Sequence, residues 1–168
     1  ASLNAGAFLN VMEAEDVSER HASLVVAGQR LLLDPLGALY EPRAGALIVA
    51  DLHLEKGSSF ARRGMMLPPY DTAATLARLT QVVMRWRPRV VIALGDSFHD
   101  REAGERLSAE DGARISALQA GREWIWISGN HDPEISPLVG GERRGELRLG
   151  GLTLRHEPSV RDAHGEIA

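Results

Sequence analysis

The sequence predicts an α/β protein built on a mostly parallel sheet with antiparallel strands at one edge. Three observations carry this. First, three short apolar runs are rich in β-branched or aromatic residues and read as strands buried on both faces: Ala46-Leu47-Ile48-Val49-Ala50, Val90-Val91-Ile92-Ala93-Leu94 and Trp124-Ile125-Trp126-Ile127-Ser128. Second, helical patterns separate them, and strand, helix, strand, helix, strand implies right-handed parallel crossovers. Third, each run ends in polar, potentially metal-binding groups: Asp51-Leu52-His53, Gly95-Asp96-Ser97-Phe98-His99-Asp100 and Gly129-Asn130-His131-Asp132. The C-terminal strand ends are where open α/β sheets build their sites.

Along the chain, residues 1–20 are expected to be a solvated arm, with Glu13, Glu15, Asp16 and Glu19 clustered. Its opening residues, which lack an initiator Met, are expected to be in part an expression remnant. Leu24-Val25-Val26 and Leu31-Leu32-Leu33 read as two strands around a tight turn at Gly28. Asp34-Pro35-Leu36-Gly37 is a turn signal, and Ala38-Leu39-Tyr40 continues the antiparallel meander. Residues 57–64 are expected to be a short helix carrying Arg62 and Arg63, read either as a solvated basic face or as a phosphate contact. Asp71 caps a helix running to about Trp86, with Leu76, Leu79, Val83 and Trp86 on one buried face. Ser108-Ala109-Glu110-Asp111 resembles a capping box for a second helix that turns Ile115 and Leu118 inward. Residues 133–144 read as loop. Leu147-Arg148-Leu149 and Leu152-Thr153-Leu154 form a hairpin around Gly150-Gly151. His21 and His164 are expected at the surface.

The 168 residues suit one domain with a sizeable core. With no cysteine, disulfides and thiolate metal sites are excluded, and a cytoplasmic location is the default expectation. No apolar run reaches the length needed to span a bilayer, so no membrane partner is expected. A net charge of −4 argues against a broadly basic nucleic-acid surface, although bound dications would add local positive charge. No phosphate-binding loop of the Gly-x-x-x-x-Gly-Lys type is present.

The strand-end residues carry oxygen and imidazole donors, which suit Mn, Fe or Zn. Asp51 and His53 are two apart; on a regular strand they share a face, and at a strand end both reach one ion. The series Asp51-Leu52-His53, Gly95-Asp96 and Gly129-Asn130-His131-Asp132, followed by His156 after a strand-like run, resembles the calcineurin-like metallophosphoesterases. Asp51-Leu52-His53-Leu54-Glu55-Lys56-Gly57-Ser58-Ser59 and Leu67-Pro68-Pro69-Tyr70-Asp71-Thr72 are similar to the bacterial DNA-ligase-associated branch. The likeness runs from about Leu24 to the end. It departs from the family in one block: the closing Gly-His-x-His is absent from residues 21–168, so each metal would lose one imidazole.

The resemblance implies a four-layer α/β/β/α sandwich, with the C-terminal part of the second sheet incomplete in this chain. It implies two divalent metal ions, with Mn favoured and Fe or Zn as alternatives. Asp96 would bridge them, Asp51 and His53 would complete the first set, and Asn130 and His156 the second. A metal-bridging hydroxide would attack phosphorus, hydrolysing a phosphodiester. His131 would protonate the leaving group and Asp132 would orient it. His99 resembles the extra histidine of double-strand-break-repair nucleases and either assists the reaction or is structural; Asp100 holds His99 or an arginine. The implied role is nucleic-acid processing or DNA repair, with DNA ligase or helicase-type repair proteins as partners. Two other functions fit the residues: a phosphodiesterase of small cyclic or linear nucleotides, and a non-catalytic partner-binding module on the same fold.

Overall fold

In the computed structural model, residues 21–54, 72–98, 107–129, 139–158 and 166–167 are described. Ser23–Val26 (β1), Gln29–Asp34 (β2), Ala38–Glu41 (β3) and Ala46–Val49 (β4) form an antiparallel meander. Thr72–Trp86 (α1) leads to Val90–Leu94 (β5), and Ala109–Gln119 (α2) leads to Glu123–Ile127 (β6). Strands β4, β5 and β6 pair in parallel, as the alternation of strands and helices requires. Glu142–Arg144 (β7) adds a further parallel strand, giving a seven-stranded sheet in the order β1 to β7. Leu147–Leu149 (β8) and Leu152–Leu154 (β9) make the Gly-Gly hairpin, and Glu166–Ile167 (β10) joins β9 in parallel to complete a second, three-stranded sheet.

The large sheet is buried on both faces because its apolar residues fill both pleat directions. Leu47, Val49, Val91, Ala93, Trp124 and Trp126 point to one side, where they meet Leu76, Leu79, Val82, Val83 and Trp86 of α1 and Ile115 and Leu118 of α2. Ala46, Ile48, Ile92, Leu94, Ile125 and Ile127 point to the other, where Leu152 and Leu154 of the second sheet cover them. The period of two within uninterrupted apolar runs thus builds two cores. Helices, large sheet and second sheet form three successive layers, as expected for three of the four layers of an α/β/β/α sandwich. Among the described residues no helix covers the outer side of the second sheet, and none is long and apolar enough to cross a membrane.

Two departures from the sequence pattern have simple causes. The end of the stretch expected as loop is β7, whose residues Glu, Arg, Arg are all exposed. It has no apolar signature because main-chain pairing with Ile125, Trp126 and Ile127 holds it at the sheet edge. His21 is not a free surface residue: its ring packs on Trp86 with centroids 4.7 Å apart. The cap of α2 forms as expected, with the Asp111 N–H donating to Ser108 Oγ at 3.0 Å, but the Asp111 carboxylate accepts from the Ser108 hydroxyl at 2.9 Å.

Asp34 ties the meander to α1. One carboxylate oxygen accepts from the Leu36 N–H at 2.8 Å, and the other from Arg85 at 2.6 Å and the Trp86 indole at 2.8 Å. Burial alone pushes this carboxyl up, but the Leu36 N–H, the Trp86 indole and Arg85 more than offset it, and its pKa falls below the ordinary 3.8. A lowered carboxyl pKa stabilises the fold above the unfolded pKa and loses that contribution as pH falls through the folded value. In Asp34→Asn the amide N–H₂ must face a donor whichever way it turns, since both carboxylate oxygens accept. Because Arg85 is partly exposed and can rehydrate, the expected cost is about 2 kcal/mol, a Tm lower by roughly 4–8 °C at pH 7. The gap from wild type should close towards pH 3; an equal gap at both pH values would disprove the charge argument.

Candidate metal centre

Beyond the ends of β4 and β5 the two chain segments stay zipped together. The Asp51 N–H donates to Gly95 O at 3.3 Å, the His53 N–H to Asp96 O at 3.0 Å and the Leu54 N–H to Ser97 O at 2.9 Å, and Leu54 and Phe98 form a parallel bridge. Leu54 and Phe98 are both buried in the helix-side core, and Phe98 rests on Trp126 with ring centroids 5.7 Å apart. Each polar turn is therefore pinned by an apolar residue just after it.

Between these anchors the backbone is strained. Asp51, His53 and Asp96 have φ of 50°, 45° and 45°, in the left-handed region that L-residues avoid. Among the described residues only Ala27 and Arg87 are other non-glycines with positive φ. Those two have ordinary reasons: Ala27 sits in the β1–β2 turn, and Arg87 follows α1, its N–H returning to Val83 O at 2.9 Å. The three at the strand ends have no such reason, and strain of this kind gathers at functional sites. Asp51 and His53 are therefore not two residues of one strand face; kinks in the ladder, not the pleat, set their directions.

His156 reaches the same place from the second sheet, two residues after β9. One ligand atom each from Asp51, Asp96 and His156 lie within 4.8 Å of one another. His156 Nε2 is 3.5 Å from Asp96 Oδ1, and Nδ1 is 3.3 Å from Leu94 O. With Nδ1–H donating to that carbonyl, Nε2 turns a lone pair towards the carboxylates, the arrangement metal-binding histidines use. His53 Nε2 lies 3.9 Å from Asp51 Oδ1. Asp96 is buried, whereas the Asp51 side chain is 60% exposed, so the cluster opens to solvent on the Asp51 side. Converging carboxylates repel, a divalent cation between them relieves the repulsion, and oxygen plus imidazole donors suit Mn, Fe or Zn. The residues present fit such an ion.

The structure thus brings together Asp51, Asp96 and His156, with His53 beside Asp51. His99, Asp100, Asn130, His131, Asp132, Arg62 and Arg63 lie outside the described residues, although the chain enters 130–132 from Gly129 just beyond β6. Sequence reasoning missed a second group. Thr72, Thr75 and Arg78 of α1 share with Asp51 and His53 the lining of a cavity of about 290 Å³. Their spacing of three, beside the apolar stripe of α1 and just after the first polar turn in the chain, was the available signal.

Residues 46–164 match the family model described as calcineurin-like phosphoesterase. The chain is also similar to a solved structure titled the nuclease MPE of Pseudomonas putida, at 28% identity and a TM-score of 0.68, covering 88% of this chain and 71% of that one. No curated protein matches the sequence. A match over most of the chain, falling on the strands and turns that build the Asp51, Asp96 and His156 cluster, leaves one assignment: the chain belongs to the calcineurin-like phosphoesterases.

Proposed function

We propose that this protein is a dimetal phosphodiesterase that cleaves nucleic-acid strands. The observation that carries the reading is the convergence of Asp51, Asp96 and His156 at the C-terminal ends of the parallel strands. Asp96 lies close both to Asp51, assigned to the first ion, and to His156, assigned to the second, which supports its bridging position. His53 completes the first set and Asn130 the second. When bound, two divalent ions supply Lewis acidity that polarises the phosphoryl group and acidifies water.

The protein's own groups do the rest. Leu54 and Phe98 hold the two strained turns against the core, so the carboxylates that would hold the ions are already placed before substrate binds. Leu94 O fixes the His156 ring. His131, one residue beyond Asn130, donates the proton to the leaving alkoxide, with Asp132 orienting it. General acid catalysis of this kind contributes roughly 10²–10⁴-fold. His99 and Asp100, three and four residues beyond Asp96 in the sequence, assist, and Arg62 and Arg63 contact substrate phosphate. The nuclease neighbour supports a nucleic-acid substrate. The likeness to the ligase-associated branch supports work in DNA repair beside ligase or helicase-type proteins, the lack of cysteine supports a cytoplasmic location, and residues 21–168 act as one domain.

Hydrolysis of bis-p-nitrophenyl phosphate tests the chemistry. Addition of Mn²⁺ to the metal-stripped protein is expected to raise the rate about 10²-fold or more, and EDTA or His131→Asn to remove the gain. Hydrolysis indifferent to metal, or none with Mn²⁺, Fe²⁺ or Zn²⁺, would overturn the reading. The acidic net charge favours a second reading, small nucleotides as substrates. Salt separates them: on an oligonucleotide, log affinity should fall against log salt with a slope of about −0.7 per phosphate contacted, and a flat response would select the small substrate.

A further inference from the structure

The cavity beside Asp51 and His53 carries no role in the chemistry above. One wall is the ridge of α1 formed by Thr72, Thr75 and Arg78, which are three residues apart and so neighbours on the helix surface. Leu79 and Val82 close its floor, and the β2–β3 turn at Leu36 and Gly37 faces the helix. Its volume of about 290 Å³ is near the lower end of small-molecule sites, roughly 300–1,000 Å³. It admits one nucleoside unit and excludes a base-paired duplex.

Arg78 is the distinctive group there. It is exposed, and among the described residues it makes no ion pair or hydrogen bond. Other arginines in and just after the helices are engaged: Arg85 with Asp34, Arg114 with Glu110 and Asp111, and Arg122, beyond the end of α2, with Leu118 O. Arg87 sits at the far end of α1, in a separate groove between the two helices. In a chain of net charge −4, an uncommitted guanidinium sharing a cavity with Asp51 and His53 is a local reversal of sign. A guanidinium fork matches phosphate oxygens in bidentate fashion.

We infer that this cavity takes the unstacked nucleoside next to the scissile bond, and that Arg78 pairs with the phosphate flanking it. The substrate class is then a single strand with at least two consecutive phosphodiesters, rather than an isolated diester. The inference rests on the phosphodiesterase reading and adds a binding residue to it. Arg78 bonds to a phosphate that does not react, so its effect belongs in KM more than in kcat.

The experiment pairs a change in the enzyme with a change in the substrate. Wild type, Arg78→Gln and Arg78→Lys are assayed with Mn²⁺ on a short single-stranded oligonucleotide. They are also assayed on its two analogues with a neutral methylphosphonate on one or the other side of the scissile phosphate. For wild type, one of the two neutral analogues is expected to lower kcat/KM about tenfold or more, through KM. Arg78→Gln should show that loss on the natural strand and lose nothing further on the analogue, and Arg78→Lys should recover part of it. Equal rates of wild type on all three strands would overturn the inference, as would an Arg78→Gln variant that discriminates as strongly as wild type. Cleavage of bis-p-nitrophenyl phosphate without cleavage of any strand would overturn this inference together with the nucleic-acid substrate, and would leave the phosphodiesterase chemistry standing on small nucleotides. Cleavage of neither would remove the phosphodiesterase reading and the inference with it.

Discussion

Asp96→Asn is expected to lower kcat/KM for bis-p-nitrophenyl phosphate by about 10³-fold or more, about 4 kcal/mol of transition-state stabilisation, with little change in the metal-free fold. Asn has the shape of Asp and tolerates the left-handed backbone that Asp96 adopts at φ 45°, so the turn can persist. What disappears is one negative charge, at the one carboxylate of the cluster that is buried. Its neighbours Asp51 and His156 stay in place but no longer share an anion between them. Two measurements separate loss of charge from loss of fold. Metal-free wild type and variant should melt within a few degrees of each other, whereas Mn²⁺ should raise the Tm of wild type and scarcely that of the variant, since only a ligand that binds the folded state stabilises it. A variant within tenfold of wild type and equally stabilised by Mn²⁺ would remove Asp96 from the metal assignment.

The strands that carry this cluster were legible because they obey one rule. Ala46–Val49 and Val90–Leu94 bury successive residues on opposite faces, so both pleat directions must be apolar, and an unbroken apolar run is the result. The face of α1 was legible for the complementary reason, since Leu76, Leu79, Val83 and Trp86 recur at helical spacing. Glu142–Arg144 was not, because an exposed edge strand held by backbone pairing leaves its side chains unconstrained. Glu166–Ile167 is too short to carry a period.

The centre itself was legible in part. Asp51, His53 and Asp96 stand at strand ends, a position the sequence marks directly. His156 was reachable through the family pattern, because no periodicity links it to residues sixty positions earlier; the join is made by the packing of β9 against β5. Left-handed backbone at Asp51, His53 and Asp96 leaves no trace in composition, since short polar side chains occupy ordinary turns as well. Arg78 escaped because its significance depends on which cavity it lines, and a lone arginine on the edge of an amphipathic helix resembles any solvated one.

Gly95 shows how tightly the two sheets are fitted at this centre, and Gly95→Ala is expected to damage both stability and activity. The backbone there has φ of +72°, and an added Cβ would lie 2.2 Å from His156 Nδ1, 2.4 Å from Cγ and 2.6 Å from Cβ. No rotation about the imidazole bond relieves all three contacts, because one of them is to the His156 Cβ itself. The left-handed backbone costs about 1–2 kcal/mol for a residue with a Cβ, and overpacking adds about 1–3 kcal/mol. A total of about 2–5 kcal/mol predicts a Tm lower by roughly 4–20 °C. Moving His156 also breaks its approach to Leu94 O and turns Nε2 away from Asp96, so metal-dependent hydrolysis should fall about 10²-fold or more even at temperatures where the variant is folded. The cause can be isolated with His156→Ala. Truncating the imidazole removes two of the three clashing atoms, so Gly95→Ala should cost about 1–2 kcal/mol less in that background than in wild type, a coupling typical of residues in direct contact. If the cost is the same in both backgrounds, the damage lies in the backbone alone, and the close packing of His156 against the β5 turn is not what keeps Gly95 a glycine.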